Sequence, residues 1–239
     1  SKPLTLVEGA DFKYVNTGNP IKDPYDAVIM IEDVLQGEEG QVQILRPAYP
    51  YQHVRQIGED IVATEMILPS RHKIRPMDIG ALISGGIEIV NVYKSPRIGI
   101  IPTGSEIVED ASQVREGTII DSNSHVFKGL VESLGGVAKR YPPMEDDYEK
   151  LKDLISQAVV DNDMIIINAG SSAGTKDFTV NLIQELGKVV VHGVAMKPGK
   201  PTILGIIKGK PVIGIPGYPV SAFMVFDVFA KPIILKYLG

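Results

Sequence analysis

The fold is decided by residues 147–168, whose sequence is DYEKLKDLISQAVVDNDMIIIN. From about Asp147 to Val160 the apolar residues recur at i, i+3, i+4, i+7 and i+8, which is the spacing of one helix face. Met164–Ile167 follows as a short apolar run, typical of a strand that is covered on both faces. A helix that leads at once into a buried strand indicates an α/β fold.

The same alternation continues through the second half of the chain, over residues 96–239. Alternating strands and helices predict a mainly parallel sheet in a three-layer α/β/α domain. The other predicted elements are strands at Ile98–Ile101, Val137–Tyr141 and Val189–His192, a hairpin of Thr202–Ile207 with Pro211–Ile215, a helix capped by Asp121-Ser122-Asn123 and ending at Gly135-Gly136, a helix near Phe178–Leu186, and a last helix after Pro219 that Pro232 interrupts.

The first half of the chain has a different pattern. Short apolar segments separated by turn residues predict a β-rich domain over residues 1–56 and a second small segment over residues 57–95. Within the second segment, Pro76 favours the start of a short helix. Ile87–Tyr93 is predicted as a further strand.

The composition excludes several classes of chemistry. The chain has no cysteine, so disulfides, thiolate catalysis and cysteine-ligated metals are excluded. Its 24 Lys and Arg against 29 Asp and Glu give a net charge of −5 with no basic block, and we expect no nucleic-acid partner. No apolar run reaches the roughly 18 residues of a membrane span, so we expect a cytoplasmic protein with no membrane partner.

Four loops that follow predicted strands share small, proline and polar residues. They are residues 102–106, 168–177, 196–201 and 216–221. Because ligands of such sheets bind beyond the carboxyl ends of the strands, we expect the four loops to meet at one site. Small residues let backbone N–H groups approach an anion, which predicts an anionic ligand. Each loop taken alone is more typical of a plain turn than of an anion site, and only the coincidence of the four at one edge favours a site.

Charged side chains on these loops suggest how an anion would be held. Lys197 and Lys200 would supply positive charge, although exposed lysines are more often only solvated. Glu106 and Asp177, with Asp146, are candidate ligands for Mg²⁺, which takes a few carboxylates together with substrate phosphates.

Taken together, these motifs resemble the molybdopterin molybdenumtransferase family, which includes MoeA and the gephyrin E domain. The motifs are PTGSEI at 102–107, DSN at 121–123, NAGSSAGTKD at 168–177, MKPGKP at 196–201 and PGYPVSA at 216–222. In the first half, residues 15–20, 26–32 and 55–61 resemble the β-rich second domain of that family and the return into its first domain.

The resemblance implies an enzyme of molybdenum cofactor biosynthesis. Such an enzyme inserts molybdenum from molybdate, or from tungstate in its place, into adenylylated molybdopterin and releases AMP with the help of Mg²⁺. The family works as a homodimer with its sites between the subunits. The resemblance gives Glu106, Asp146 and Asp177 to the metal and pyrophosphate, and Lys197 and Lys200 to the phosphates or oxyanion.

The resemblance also implies the remaining ligand-binding residues. They are Thr17, which would reach in from the partner subunit, and Thr103, Gly104, Asp121, Ser122, Asn123, Gly170, Ser171, Ser172, Gly174, Pro216, Gly217, Pro219 and Ser221.

The sequence departs from the family pattern at several points. Ser105 stands where the family has an aspartate, Ala169 replaces the first glycine of a pair, and Tyr218 replaces an asparagine. The chain begins with Ser1, and the family's aspartate-glycine-tyrosine-alanine motif and C-terminal β domain are not within it. We therefore expect a piece of a longer protein that binds the ligand but turns it over poorly.

Two alternatives stay open at this stage. A molybdopterin adenylyltransferase shares the α/β domain but uses ATP, and the β-rich first half argues against it. A non-catalytic molybdopterin-binding or scaffold module is the other, and the retained acids and lysines favour an enzyme over it.

Overall fold

The computed structural model describes residues 2–169 and 173–239, and side chains of 169 and 173–177 are outside that description. The chain divides into two compact units between Val90 and Asn91. Each unit is described below by itself.

The first unit contains a small antiparallel sheet. Its strands are β1 (Leu4–Val7), β2 (Val34–Gln36) and β3 (Gln41–Ile44), and β3 lies between the other two. Val42 and Ile44 point to the same side of β3 and are buried, as the two-residue alternation of Gln41–Ile44 requires. The strand predicted at Gln41–Ile44 is confirmed, whereas most other residues of this half lie in turns and irregular segments.

The helix of the first unit is α1 (Pro76–Ser84). It begins at the predicted proline and ends at Gly85, so this prediction is confirmed. The prediction of a strand at Ile87–Tyr93 is wrong, because this segment pairs with no strand in the described part of the chain. Its apolar side chains stay exposed, with Ile89 at 87% and Val92 at 69%.

The second unit alternates strands and helices. Its elements are β4 (Arg97–Thr103), β5 (Ile107–Val108), β6 (Ile119–Ile120), α2 (Asn123–Leu134), β7 (Val137–Arg140), α3 (Tyr148–Asp161), β8 (Met164–Ala169), α4 (Ala173–Leu186), β9 (Lys188–His192), β10 (Ile203–Ile207), β11 (Lys210–Pro216), α5 (Pro219–Val225) and α6 (Lys231–Leu238).

Six of these strands form one sheet in the order β7-β4-β8-β11-β10-β9. β7, β4, β8 and β11 are parallel neighbours, and β10 runs against both β11 and β9. The predicted mainly parallel sheet is therefore confirmed. β9 points the same way as β11, because both are antiparallel to the strand between them.

Apolar helix faces cover both sides of this sheet. Successive residues of β8 point to opposite faces, so Met164 and Ile166 join one core and Ile165 and Ile167 join the other. α2, α5 and α6 contribute side chains such as Phe127, Val225 and Ile234 to the first core, whereas α3 and α4 pack on the second. This arrangement is the three-layer α/β/α domain that the sequence predicts.

The hairpin and the last helix also follow the sequence. β10 and β11 are joined by Lys208 and Gly209, whose φ angles are 49° and 77°. Positive φ at both residues is the signature of a tight hairpin turn. Between α5 and α6, Phe226–Ala230 is a π-helical turn just before Pro232, which has no backbone N–H to continue an α-helix.

Over the described ranges, no helix is both long enough and apolar enough to span a bilayer.

Candidate functional site

Three strands of the sheet end at the same level. Thr103 of β4 lies opposite Ala169 of β8, and Ala169 lies opposite Pro216 of β11. The loops that follow these strands therefore leave the sheet along one edge, together with the residues after β9. This is the edge at which parallel sheets bind ligands.

Two asparagine side chains connect the strand ends. The amide nitrogen of Asn123, at the start of α2, donates to Asn168 Oδ1 (3.0 Å) and to the backbone oxygen of Gly217 (2.8 Å). Asn168 in turn donates to the backbone oxygen of Pro216 (3.1 Å). Thr103 is fully buried, and its hydroxyl donates to the backbone oxygen of Asn168 at 3.4 Å. These bonds fix the mutual position of β4, β8, β11 and α2.

A pocket of about 210 Å³ opens at this point. One part of its wall is polar and the other is apolar, which is the mixture that binds a ring with polar edges. It is lined by Thr103, Glu106, Ile107, Ile119, Ile120, Asp121, Ser122, Asn123, Asn168, Gly217, Tyr218 and Pro219.

The apolar wall comes from residues 105–121, which we call the flap. Its two short strands, β5 and β6, pair in parallel and bring Ile107 and Ile119 to the pocket. The backbone N–H of Ile119 donates to the oxygen of Glu106 (2.8 Å), and that of Asp121 donates to the oxygen of Val108 (2.9 Å). The flap is therefore held together by backbone hydrogen bonds between its own residues.

Gly104 places the carboxylate of Glu106 against the end of β4. Its φ is +137°, and a Cβ built on it would lie 2.7 Å from Glu106 Oε2. Only glycine allows both this backbone conformation and this close approach. Glu106 is thereby held at the mouth of the pocket.

Asp146 lies beside the same strand end. Met144 forms an isolated parallel bridge with Thr103, and the backbone N–H of Asp146 donates to Ser105 Oγ at 3.5 Å. Asp146 Oδ1 is buried. The next residue, Asp147, caps α3, and the hydrogen bond from the backbone N–H of Lys150 lowers the pKa of its carboxyl. Asp146 and Asp147 therefore differ in role, because the carboxylate of Asp147 is the N-cap of α3.

The predicted metal ligands are only partly described. The structure brings Glu106 and Asp146 to adjacent loops, whereas the side chain of Asp177 lies outside the described residues. Among the described side chains, no group of three or more His, Asp or Glu residues is arranged to hold a metal ion. Two carboxylates beside a ligand pocket still fit Mg²⁺, which is commonly held by one or two carboxylates plus substrate phosphates.

The predicted lysines lie on the loop between β9 and β10. Lys197 and Lys200 are exposed, and they leave the sheet at the same edge as the pocket without lining it. Gly199 between them is buried, and a Cβ there would lie 2.9 Å from Val225 Cγ2. The loop is thus packed on α5 while its lysines reach into solvent.

Other predicted residues do not line the pocket or are not described. Gly170, Ser171 and Ser172 lie outside the described residues, and Gly174 belongs to α4. Ser221 is on α5 but is not part of the pocket lining. Thr17 is exposed in the first unit.

The sequence matches two family models. The one described as "Probable molybdopterin binding domain" covers residues 99–236, and the one described as "MoeA N-terminal region (domain I and II)" covers residues 1–86. The chain belongs to the MoeA family. The resemblance predicted from the motifs is therefore confirmed.

Individual relatives agree with this assignment. A putative molybdopterin biosynthesis protein of Methanocaldococcus jannaschii is 36% identical, over 98% of this chain and 61% of its own length. A molybdopterin molybdenumtransferase of Haemophilus influenzae is 32% identical, over 94% of this chain and 56% of its own. A MoeA crystal structure from Pyrococcus horikoshii is 39% identical with a TM-score of 0.75, over 90% of this chain and 53% of that one. The chain thus spans about half to three-fifths of these proteins.

In this member of the MoeA family, sequence reasoning missed one charged group at the pocket. Arg140, at the end of β7, donates from Nη2 to Asp121 Oδ2 at 3.1 Å. A basic residue on an edge strand is usually a solvated charge, so nothing in the local sequence distinguishes it. Asn168 lies in one of the predicted loop motifs, but the motif alone does not mark it as a binding residue.

Proposed function

We propose that this chain carries the molybdenum-insertion activity of its family: it binds adenylylated molybdopterin and molybdate, transfers molybdenum to the dithiolene and releases AMP. The observation that carries the proposal is the pocket at the carboxyl edge of the sheet, with Glu106 and Asp146 beside it. The names of the relatives support this reaction class. Molybdate and tungstate are tetrahedral anions of similar size, and both are candidate substrates.

The chemistry needs charge neutralisation more than a strong nucleophile, because the bond that breaks joins two phosphate groups. Mg²⁺, when bound, would supply that neutralisation at the phosphates. Glu106 and Asp146, with Asp177, are the residues that would hold it. Lys197 and Lys200 would pair with phosphate or oxyanion oxygens, and the flap would exclude water from one side of the pocket.

We further propose that the protein acts as a homodimer in the cytoplasm, with Thr17 of the partner subunit completing the site. Mixing two inactive variants, Thr17→Ala and Asp146→Asn, tests this arrangement, because a heterodimer would contain one intact site. Recovery of activity on mixing supports the shared site, and its absence contradicts it.

The reaction is tested with purified protein, adenylylated molybdopterin, Mg²⁺ and molybdate. AMP release that requires molybdate supports the proposal. Consumption of ATP with unadenylylated molybdopterin would instead indicate the adenylyltransferase. Binding without AMP release by the longest native form of the protein would indicate a non-catalytic module.

Two variants connect the reaction to the described carboxylates. Glu106→Gln and Asp146→Asn should each lower AMP release by about 100-fold or more while leaving the fold intact. Glu145→Gln is the matched control, since Glu145 is an exposed acid next to Asp146 and does not line the pocket.

A further inference from the structure

Arg140 makes three hydrogen bonds with one guanidinium group. Its Nε donates to Ser124 Oγ at 2.6 Å, and its Nη2 donates to Asp121 Oδ2 and to Glu109 Oε1, both at 3.1 Å. The side chain of Arg140 is only 17% exposed although it lies on an edge strand. Its partners belong to the flap and to the start of α2.

Asp121 is a buried carboxylate in the wall of a ligand pocket. Its side chain is 2% exposed, its Oδ1 accepts from the backbone N–H of Ser124 (3.1 Å), and its Oδ2 accepts from the hydroxyl of Ser124. A buried carboxylate is costly without a cation, and it would repel an anionic ligand that enters the pocket. Arg140 is the cation that pairs with it.

Glu109 connects the same guanidinium to the flap. It follows β5, the strand whose Ile107 lines the pocket, and it is 42% exposed. Arg140, at the end of β7, therefore contacts the flap at two points, Glu109 and Asp121.

We infer that Arg140 is a positioning residue for the proposed ligand: it neutralises Asp121 and locks the flap, so that a phosphate-bearing molecule binds beside a buried carboxylate. The ligand part of this inference rests on the proposed function. The flap part rests only on the contacts of Glu109, Asp121 and Arg140.

The test compares Arg140→Gln with Lys139→Gln. Lys139 is the preceding residue of the same strand and carries the same charge, but it pairs with Asp161 at 2.9 Å and does not line the pocket. Glu109→Ala is a third variant that opens only the flap contact, and it removes a side chain that is already partly exposed. Arg140→Gln/Asp121→Asn is a fourth variant, which removes both charges.

The first measurement is hydrogen exchange at the amides of Ile119 and Asp121, which bond within the flap. We expect at least about tenfold faster exchange in Arg140→Gln and in Glu109→Ala than in Lys139→Gln. Equal exchange rates in Glu109→Ala and Lys139→Gln would show that the Arg140–Glu109 contact does not hold the flap in place. This outcome would overturn that part of the inference even if Arg140→Gln proved too unstable to measure.

The second measurement is the Kd for adenylylated molybdopterin. We expect Arg140→Gln to bind at least about tenfold more weakly than Lys139→Gln, and the double variant to recover most of the loss. If the weaker binding came from lost packing or lost hydrogen bonds of Arg140, and not from the unpaired charge of Asp121, the double variant would stay weak. Weak binding by both Arg140 variants would therefore overturn the neutralising role, as would unchanged binding by Arg140→Gln. If the wild-type chain did not bind adenylylated molybdopterin, the proposed function and the ligand part of the inference would both be wrong. The hydrogen-exchange rates would still show whether Arg140 holds the flap in place.

Discussion

The side-chain amide of Asn123 joins two strand ends at the floor of the pocket, through Asn168 and the carbonyl of Gly217. Asn123→Ala leaves both acceptors without this donor, and an unsatisfied buried polar group costs about 1–3 kcal/mol. We expect a loss of unfolding free energy in that range, measured by urea denaturation. Ser122→Ala is the control: Ser122 precedes Asn123 but its side chain makes no capping bond, so its stability should stay close to wild type. Equal losses in the two variants would contradict the role given to Asn123.

Tyr218 presents an aromatic ring at the mouth of the pocket. It is 70% exposed and lies just before α5, so burial in a core does not explain its presence. A ring in this position is available to stack on a flat heterocycle of the ligand, a contact worth roughly 1–3 kcal/mol per base in other proteins. We expect Tyr218→Ala to weaken binding of adenylylated molybdopterin by about tenfold and Tyr218→Phe to bind as wild type, measured by equilibrium dialysis. A large loss in the phenylalanine variant would indicate that the hydroxyl is what matters.

Gly104 shows how a single backbone angle controls the neighbouring carboxylate. In Gly104→Ala the new Cβ meets Glu106 Oε2, and the φ of +137° is unfavourable for alanine. Such strain costs about 1–3 kcal/mol, so we expect lower stability together with loss of AMP release. Gly129→Ala is the matched control in α2, where no atom lies within 4 Å of the new Cβ. It should gain about 0.5–1 kcal/mol, because glycine weakens a helix interior. Thermal unfolding of both variants checks the opposite signs.

Among the elements, α1 has in its first turn a carboxylate, Asp78, whose contribution to stability depends on pH. Arg75 donates from its side chain and backbone to Asp78, and His72 Nε2 lies 2.7 Å from the same carboxylate. The side-chain hydrogen bond from Arg75 is the largest cause that holds the pKa of Asp78 well below its usual range. A lowered pKa in the folded state stabilises the protein above the unfolded pKa of about 3.9, and this stability is lost as the pH falls through the folded pKa.

We therefore expect Asp78→Asn to lower the thermal midpoint of the first unit at pH 7, and the difference from wild type to shrink steadily below about pH 4. Asp60→Asn is the control, since Asp60 is 72% exposed and is 4.0 Å from Arg55. A difference between wild type and Asp78→Asn that stayed constant from pH 7 to pH 2 would contradict the assignment.

The elements also show what the sequence could predict. The central strands β4, β8 and β11 were predictable because they are covered on both faces, so Met164–Ile167 needs no alternation to be identified. Ile87–Tyr93 is also rich in β-branched residues, but it has no partner strand among the described residues, and pairing depends on distant parts of the chain that local composition does not contain. The pocket residues at strand ends, such as Thr103 and Gly217, were predictable from the rule for parallel sheets. Arg140 was not, because its partners are 16 to 31 residues away in the sequence.

For the molecule as a whole, the division at Val90 and Asn91 predicts that the second unit can fold alone. Both apolar cores and the complete six-stranded sheet lie within residues 91–239. We expect residues 91–239 to unfold cooperatively, as followed by circular dichroism. A fragment that begins at Ile100 lacks the buried Ile98 and the bond from Arg97 N–H to Asp163, and it should not fold. Similar behaviour of the two fragments would contradict the division.

The tight turn at Lys208 and Gly209 lies at the amino end of β11, and the pocket lies at the opposite, carboxyl end, because β11 runs from that turn to Pro216. Seven residues of strand separate the two ends by roughly 20 Å. An affinity peptide or a fluorescent label inserted at this turn would therefore anchor the protein to a sensor surface with its binding site turned towards the solution.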